Sequence, residues 1–206
     1  MHSFARHLHD TSDKTPATEA KVTKGLILNG GSRYDLMIWA FDTFMFRGQA
    51  RAMRRQTLNL AGIQPGEQVL DVGCGTGTLE LEAQRSAGAA GRVCGIDPGT
   101  EQIARARAKA AQRHVPVEFQ LGVIESLPYP DATFDVALST LMMHHIPAGL
   151  KRQGLAEVAR VLKPGGRLII ADFIRKQDRQ GRATHLHAGG SNPRDLAAFV
   201  QDAGFT

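Results

Sequence analysis

From residue 65 onward, short apolar runs alternate with stretches in which apolar residues recur at helical spacing. The apolar runs predict five strands, near 67–73, 92–96, 116–120, 133–139 and 167–173. The helical stretches predict helices near 77–87, 100–113, 148–162 and 193–203. Strands that alternate with helices form parallel sheets covered by helices on both faces. We therefore predict a doubly wound α/β domain over residues 63–206.

The chain before residue 63 follows a different pattern. Residues 1–24 are polar, which predicts a mobile tail. Residues 34–46 are apolar on nearly every side, so a helix there must be covered, either by the domain or by a membrane surface. A basic helix is predicted over 47–60. Together, residues 25–62 are predicted to form a helical lid.

A glycine turn joins the first predicted strand to the first helix of the α/β domain. The stretch Val-Leu-Asp-Val-Gly-Cys-Gly-Thr-Gly-Thr occupies residues 69–78, and its glycines let backbone approach a ligand closely. The dinucleotide pattern G-x-G-x-x-G would place its third glycine at position 78, which is Thr78. Asp71 precedes the turn, and a carboxylate there suits an amino group better than a pyrophosphate. The turn therefore favours S-adenosylmethionine over a dinucleotide.

Three further blocks follow in order: Gly-Ile-Asp-Pro at 95–98, Glu-Ser-Leu-Pro-Tyr-Pro-Asp-Ala-Thr-Phe-Asp at 125–135, and Arg-Val-Leu-Lys-Pro-Gly-Gly-Arg-Leu-Ile-Ile-Ala-Asp at 160–172. With the glycine turn, they resemble the class I S-adenosylmethionine-dependent methyltransferases. The resemblance is strongest to the group of ubiquinone/menaquinone-biosynthesis C-methyltransferases and related small-molecule methyltransferases. It implies a Rossmann-like fold, S-adenosyl-L-methionine as cofactor and S-adenosyl-L-homocysteine as product. The family's closing pair of C-terminal strands is expected to be missing here.

The resemblance also implies where the cofactor lies. Backbone of the glycine turn would line the methionine part, at Gly73, Cys74, Gly75 and Gly77. Asp71 would support the ammonium group, the alternative being that it caps the turn. Asp97 would accept both ribose hydroxyls, the alternative being a helix N-cap.

The resemblance also implies cofactor contacts outside the glycine turn and Asp97. Pro98 would pack on the adenosine, and backbone at Val123 and Ile124 would receive the adenine. Many relatives have an aspartate where this chain has Val123, and a valine cannot accept a bond from the adenine amino group. Tyr34 would cover the methionine end from the lid, or be an ordinary core tyrosine. Ser139, where the fourth predicted strand ends, completes this set.

Two adjacent histidines follow the fourth predicted strand. Ligands bind outside the carboxyl ends of strands in open α/β sheets, so His144 or His145 is a candidate general base. The alternative is that they only order the loop. Methyl transfer needs no nucleophilic side chain, because positioning and desolvation lower much of its barrier.

Composition narrows the remaining choices. The 206-residue chain carries a net charge of +5. This charge permits contact with a membrane surface or with nucleic acid but requires neither, and we predict possible peripheral membrane contact and no nucleic-acid partner. Its two cysteines, Cys74 and Cys94, lie in the predicted core, which favours a reducing cytoplasm. We predict no metal site. The acceptor is predicted to be a small apolar or aromatic, quinol-like compound. The oligomeric state is left open, and a dimer is one of the options. The alternatives are a non-catalytic S-adenosylmethionine-binding regulator and an NAD-dependent oxidoreductase.

Overall fold

The computed structural model describes residues 49–172 and 193–206, and its centre is a five-stranded parallel sheet. The strands are β1 (Gln68–Val72), β2 (Arg92–Asp97), β3 (Val117–Leu121), β4 (Phe134–Thr140) and β5 (Leu162–Ala171). The helices are α1 (Gln49–Ala61), α2 (Thr78–Ala87), α3 (Thr100–Arg113), α4 (Ala148–Val161) and α5 (Pro193–Asp202). The predicted alternation of strands and helices is confirmed.

The strand order is β3-β2-β1-β4-β5, so the chain reverses its direction of winding between β1 and β4. Parallel strands present all their carboxyl ends at one edge. At the reversal point the loops after two central strands diverge to opposite faces and leave a crevice between them. The loops after β1 and β4 therefore define where a ligand would lie.

Alternating side chains of the central strands supply the core on both faces of the sheet. Val69 packs with apolar residues of α1 and α2, whereas its neighbour Leu70 packs with those of α4 and α5. Both side chains are completely buried. Because side chains alternate along a strand, Asp71 shares the face of Val69 and points toward α2. This placement of a carboxyl group matters for the site.

Strand β5 differs from its sequence prediction at its start. It begins at Leu162, which pairs with Phe134, but the next pair joins Val136 to Arg167. Residues 163–166 form a bulge in which Gly165 has a φ of +79°, a conformation that favours glycine. The strand therefore begins before the predicted start at residue 167, and the bulge lies within it.

Helix α1 is the part of the predicted lid that the structure describes; residues 1–48, including Tyr34, lie outside the described residues. The guanidinium of Arg167 donates to the carbonyls of Ala61 and Gly62 at 2.5 and 3.0 Å and pairs with Glu67 at 2.7 Å. These bonds fasten the end of α1 to β5. Within the described ranges, no helix is long and apolar enough to cross a membrane.

Candidate functional site

The loops after β1 and β4 are in direct contact. A Cβ atom on Gly73 would overlap the side chain of Met142, so the glycine turn and the loop after β4 pack against each other. The structure thus brings together the predicted cofactor residues after β1 and the predicted histidines after β4.

The three glycines of the turn are required for different reasons. Gly73, Gly75 and Gly77 all have positive φ, of +82°, +55° and +76°. A Cβ on Gly77 would lie 2.6 Å from Phe119 and 2.8 Å from Ala106, whereas a Cβ on Gly75 would meet no atom within 4 Å. Gly73 and Gly77 make room for protein side chains, so close packing within the protein also requires a glycine at these two positions. Gly75 alone faces open space that a ligand could fill.

Backbone bonds from β2 hold the turn in place. The N–H groups of Gly73 and Cys74 donate to the carbonyl of Ile96 at 2.8 and 2.9 Å. The N–H of Gly75 donates to Oδ2 of Asp97 at 3.0 Å. The turn is therefore capped from β2 rather than by Asp71, which removes the capping alternative for that residue.

Asp97 connects the glycine turn to the start of α3. Its Oδ1 accepts the N–H of Gly99 at 2.8 Å, while Gly99 itself is the N-cap residue of α3. Asp97 is therefore not the N-cap. Burial raises the pKa of this carboxyl group, and the bonds from Gly99 and Gly75 act in the opposite direction. Each oxygen accepts one backbone bond and can accept another, so the carboxylate can still receive two hydroxyl groups.

A buried lysine supports the turn from the other side, and sequence reasoning missed it. Nζ of Lys109 in α3 donates to the hydroxyls of Thr76 and Thr78 at 2.8 and 3.1 Å. Lys109 has only 7% of its surface exposed. The helical spacing of Ile103, Ala106 and Ala110, which are buried, places Lys109 near the same face and is the signal that could have found it.

Asp71 is, together with Ser139, the most deeply buried of the predicted cofactor residues that the structure describes. It is 1% exposed, and its Oδ1 has no hydrogen-bond partner among the described residues. Burial raises its pKa to about 7, an effect that a hydrogen bond from Glu80 partly opposes. A buried acceptor without a donor fits a cationic group that arrives with a ligand.

The loop after β3 lies beside Asp97. The N–H of Gly122 donates to the Asp97 carbonyl at 3.2 Å, which joins this loop to the end of β2. The side chains of Val123 and Ile124 are buried, 5% and 4% exposed, and Pro98 is half-buried. Since both side chains at 123 and 124 are used by the core, a ligand there would meet mainly backbone.

After the end of β4, the side chain of His144 contacts the carboxylate of Asp172, which follows β5. Nδ1 of His144 lies 2.6 Å from Oδ1 of Asp172, and the His144 N–H donates to Oδ2 of the same residue at 2.9 Å. Both side chains are largely buried, 11% and 8% exposed. Asp172 directly follows β5 at the carboxyl edge, and the strand-end rule that selected the histidines would also have selected it.

The second histidine stacks on the first. The ring centroids of His144 and His145 are 3.8 Å apart, within a 3-10 turn that spans Met143–His145. The turn is preceded by Leu141, whose φ is +52° and whose N–H donates to the Ala171 carbonyl at 2.8 Å. Such a conformation is uncommon for leucine and is retained only where the surroundings fix it. Ser139, at the end of β4, is 1% exposed, and its hydroxyl has no partner among the described residues.

The groups at this edge suit an organic ligand. Open space at Gly75, an acceptor pair at Asp97 and an orphaned acceptor at Asp71 fit the groups of S-adenosylmethionine: a chain, a ribose and an ammonium. Next to them lies a histidine with a carboxylate partner. In the described part of the chain, no three His, Cys, Asp or Glu side chains converge.

Comparisons with known proteins agree with this geometry. A family model described as a methyltransferase domain matches residues 69–166. The chain is 31% identical over 185 residues to a ubiquinone/menaquinone biosynthesis C-methyltransferase of Burkholderia orbicola, covering 90% of this chain and 74% of that protein. It is 34% identical over 134 residues to a 2-phytyl-1,4-naphtoquinone methyltransferase of Synechocystis, covering 64% and 56%.

Solved structures extend the likeness to the fold. A SAM-dependent methyltransferase from Aquifex aeolicus superimposes with a TM-score of 0.63 at 26% sequence identity, covering 74% of this chain and 79% of that one. The shared region includes the parallel sheet typical of these enzymes.

Proposed function

Because the chain belongs to the class I S-adenosylmethionine-dependent methyltransferases, we propose that it methylates a small aromatic, quinol-like acceptor with His144 as general base. Its cofactor is S-adenosylmethionine, and the NAD-dependent alternative is thereby excluded. The observation that carries the proposal is the 2.6 Å contact between His144 and Asp172 beside the glycine turn.

We place the cofactor along the turn by the fit of its groups. The methionine part follows Gly75, where open space is available, with its ammonium toward Asp71. The ribose hydroxyls reach Asp97, and the adenine lies against backbone at 123–124. The cofactor supplies an electrophilic methyl group on a sulfonium, which becomes a neutral thioether when the methyl carbon–sulfur bond breaks.

The histidine and its carboxylate partner then act on the acceptor. With Nδ1 hydrogen-bonded to Asp172, the proton sits on Nδ1, and Nε2 is the nitrogen that can accept a proton from an acceptor hydroxyl. As this proton leaves, the acceptor oxygen, or a ring carbon conjugated to it, gains the electron density needed to bond the methyl carbon. When a ring carbon is methylated, that carbon then loses its own proton to solvent and the oxygen takes one back from the imidazolium, which restores the aromatic ring. Asp172 stabilises the imidazolium that forms and fixes its orientation.

Two observations support the acceptor class. The relatives at 31% and 34% identity carry the names of quinone methyltransferases, and quinols have an acidic hydroxyl conjugated with a ring carbon. In addition, residues 34–46 are apolar in sequence, which suits an acceptor ring with an apolar tail. The compartment stays a prediction, as do contact with a membrane surface and the oligomeric state.

Turnover on a panel of acceptors tests the proposal. Reduced naphthoquinones and benzoquinones, simple phenols and primary amines would be incubated with labelled S-adenosylmethionine, and the products would be mapped by mass spectrometry. We expect quinols to be methylated fastest, phenols more slowly and amines hardly at all. Faster methylation of amines would contradict the acceptor class, and binding of cofactor with no turnover of any ring compound would contradict the role of His144.

A further inference from the structure

A second carboxyl group lies beneath the glycine turn, and the proposed reaction does not use it. Glu80 sits in the first turn of α2 and is completely buried, against 1% exposure for Asp71. Each carboxyl group shifts the pKa of the other, so the two side chains are close neighbours. Beyond that contact, neither oxygen of Glu80 nor Oδ1 of Asp71 has a hydrogen-bond partner among the described residues. The pair therefore has fewer donors than buried carboxylates normally have.

A hydrogen bond between two carboxyl groups requires that one of them carries a proton. Two ionised carboxylates in contact would repel each other, and burial adds to the cost. The other groups that act on the pair are Asp97 from β2, which adds negative charge, and Lys109 from α3, which bonds Thr76 and Thr78. The thiol of Cys74 faces the same carboxyls and is held neutral by burial, which raises its pKa. One lysine does not balance three acidic groups.

Only one of the two carboxyl groups has to hold the proton. Burial, followed by the charge of Asp71, raises the pKa of Glu80 well above its usual range. For Asp71 the hydrogen bond from Glu80 lowers the pKa, so the value reached is only about 7. An ammonium beside Asp71 requires that residue to be ionised, so Glu80 is the carboxyl that holds the proton in the complex and donates to Asp71.

We propose that Glu80 is a positioning residue of the cofactor site: its protonated carboxyl group donates to Asp71 and keeps that residue as the single negative charge offered to the cofactor's ammonium. This rests on the placement of the methionine end beside Asp71. Since the ammonium favours ionised Asp71, binding displaces the proton that Asp71 holds in part of the molecules, and binding weakens as the pH falls.

Two ligands separate this effect from other titrations. S-adenosylhomocysteine carries the ammonium, whereas 5′-methylthioadenosine has the same adenosine and thioether without the amino-acid part. Asp97 and the two histidines act on both ligands, so the ratio of the two affinities isolates the groups near the ammonium. We expect calorimetry to show that the affinity for S-adenosylhomocysteine, divided by that for 5′-methylthioadenosine, falls about 20-fold from pH 7.5 to pH 5.5. This is the change expected if the ammonium binds only ionised Asp71 and the pKa of that carboxyl is about 7.

Variants at position 80 then test the donor. Glu80→Met removes the hydrogen bond, so Asp71 should bind a proton at higher pH, and the midpoint of the ratio should move up by a unit or more. Glu80→Gln retains a neutral donor and should restore the midpoint toward that of the parent. Glu82→Met, on the same helix and half-buried, is the matched control and should leave the profile unchanged.

The outcomes distinguish this proposal from the cofactor placement. A flat ratio in the parent, or equal shifts in Glu80→Met and Glu80→Gln, would overturn the role of Glu80 while leaving cofactor binding intact. Carbon NMR of the side-chain carboxyls in the ligand-free protein provides an independent check. If Glu80 ionises below pH 6 there, it carries no proton at neutral pH and the proposal is wrong; if it stays protonated through pH 7.5, the proposal is supported without any ligand.

Discussion

The carboxyl edge of the sheet has two halves that are built differently. The half that we propose for the cofactor, residues 71–77 with Asp97, is called the cofactor half. Three successive N–H groups of its turn bond to β2 at 2.8 to 3.0 Å, two of them to the Ile96 carbonyl and one to the Asp97 carboxylate. The half that we propose for the acceptor, residues 139–146 with Asp172, is called the acceptor half, and it depends on one aspartate that binds both the ring and the N–H of His144. Backbone contacts survive most substitutions, whereas a contact between two side chains is lost with either residue.

This difference matches what each half must recognise. The cofactor is the same in every member of the family, and a turn whose shape is fixed by glycines and backbone bonds suits a constant ligand. The acceptor varies, and a few exchangeable side chains can alter its chemistry without changing the fold. Substitutions in the two halves should therefore fail in different ways.

The largest expected effect separates two glycines of the cofactor half. Gly77→Val places side-chain atoms where Phe119 and Ala106 already lie and requires a positive φ, so we expect destabilisation of about 3 kcal/mol or more. Gly75→Val meets no protein atom within 4 Å. It should lose cofactor binding with a smaller loss of stability, from the positive φ alone. Thermal unfolding and calorimetry with S-adenosylhomocysteine measure both; equal stability of the two variants would refute the distinction.

The acceptor half should fail in rate rather than in binding. Asp172→Asn and His144→Ala should each lower kcat by about 10²- to 10⁴-fold, the usual worth of a positioned base, with the Kd for cofactor nearly unchanged. Steady-state kinetics and calorimetry with S-adenosylhomocysteine measure the two quantities; a large loss of cofactor affinity in either variant would contradict this division.

Two controls sharpen that test. Asp131→Asn alters a carboxylate that is 76% exposed and paired with Arg160; it precedes β4 whereas the histidines follow that strand, and it should not change kcat. His145→Ala removes the stacked ring but not the bond to Asp172, so it should cost less than His144→Ala. If His145→Ala is the more damaging change, the base is assigned to the wrong ring.

Asp97 should show an intermediate effect, mainly on affinity. Asp97→Asn removes the charge and replaces one of the two oxygens that accept backbone bonds with an N–H₂ group, which can accept neither a backbone N–H nor a ribose hydroxyl. We expect S-adenosylhomocysteine to bind more weakly by about 1.5–3 kcal/mol, which is the typical contribution of hydrogen bonds to a charged group. Competition with adenosine lacking its 2′-hydroxyl provides the check: parent and variant should differ less with that ligand.

The sequence specified most of the fold because apolar periodicity and glycine spacing are local signals. Helix α3 was predicted with its bounds as observed, and the other elements differ mainly at their ends. Strand β5 was the main exception. Its bulge depends on pairing with Phe134 and Val136, a contact that no local pattern contains.

The site was predicted residue by residue but not as a set of contacts. Asp71, Asp97 and His144 were selected by their positions at strand ends. Their partners were missed for one reason: Glu80 and Asp172 are acidic residues whose meaning depends on which element faces them. The buried positions Ala83, Gln84 and Ala87 place Glu80 on the inner face of α2, so helical spacing contained a clue.

The smallest expected effect concerns Asp71 in the ligand-free protein. Its pKa is 3.8 in the reference state and about 7 in the fold, so between these values the folded protein retains a proton that the unfolded chain has released. The stability contributed by this protonated group is therefore complete below pH 3.8, decreases as the pH rises, and is lost above about 7. The side chain of Asp71→Asn cannot titrate, so this variant should become more stable than the parent as the pH rises through this window. The expected gain in the free energy of unfolding is about 1–2 kcal/mol at pH 7.5, because the removal of a buried charge is partly offset by imperfect packing of the amide.

Denaturant unfolding at pH 5, 6, 7 and 8 measures the difference, with Glu82→Gln as a control that should follow the parent at each pH. The same Asp71→Asn variant should bind S-adenosylhomocysteine poorly, because the charge that destabilises the empty site is the one that meets the ammonium. A variant that is less stable than the parent at pH 8 would show that Asp71 is fully paired within the protein and does not await a ligand.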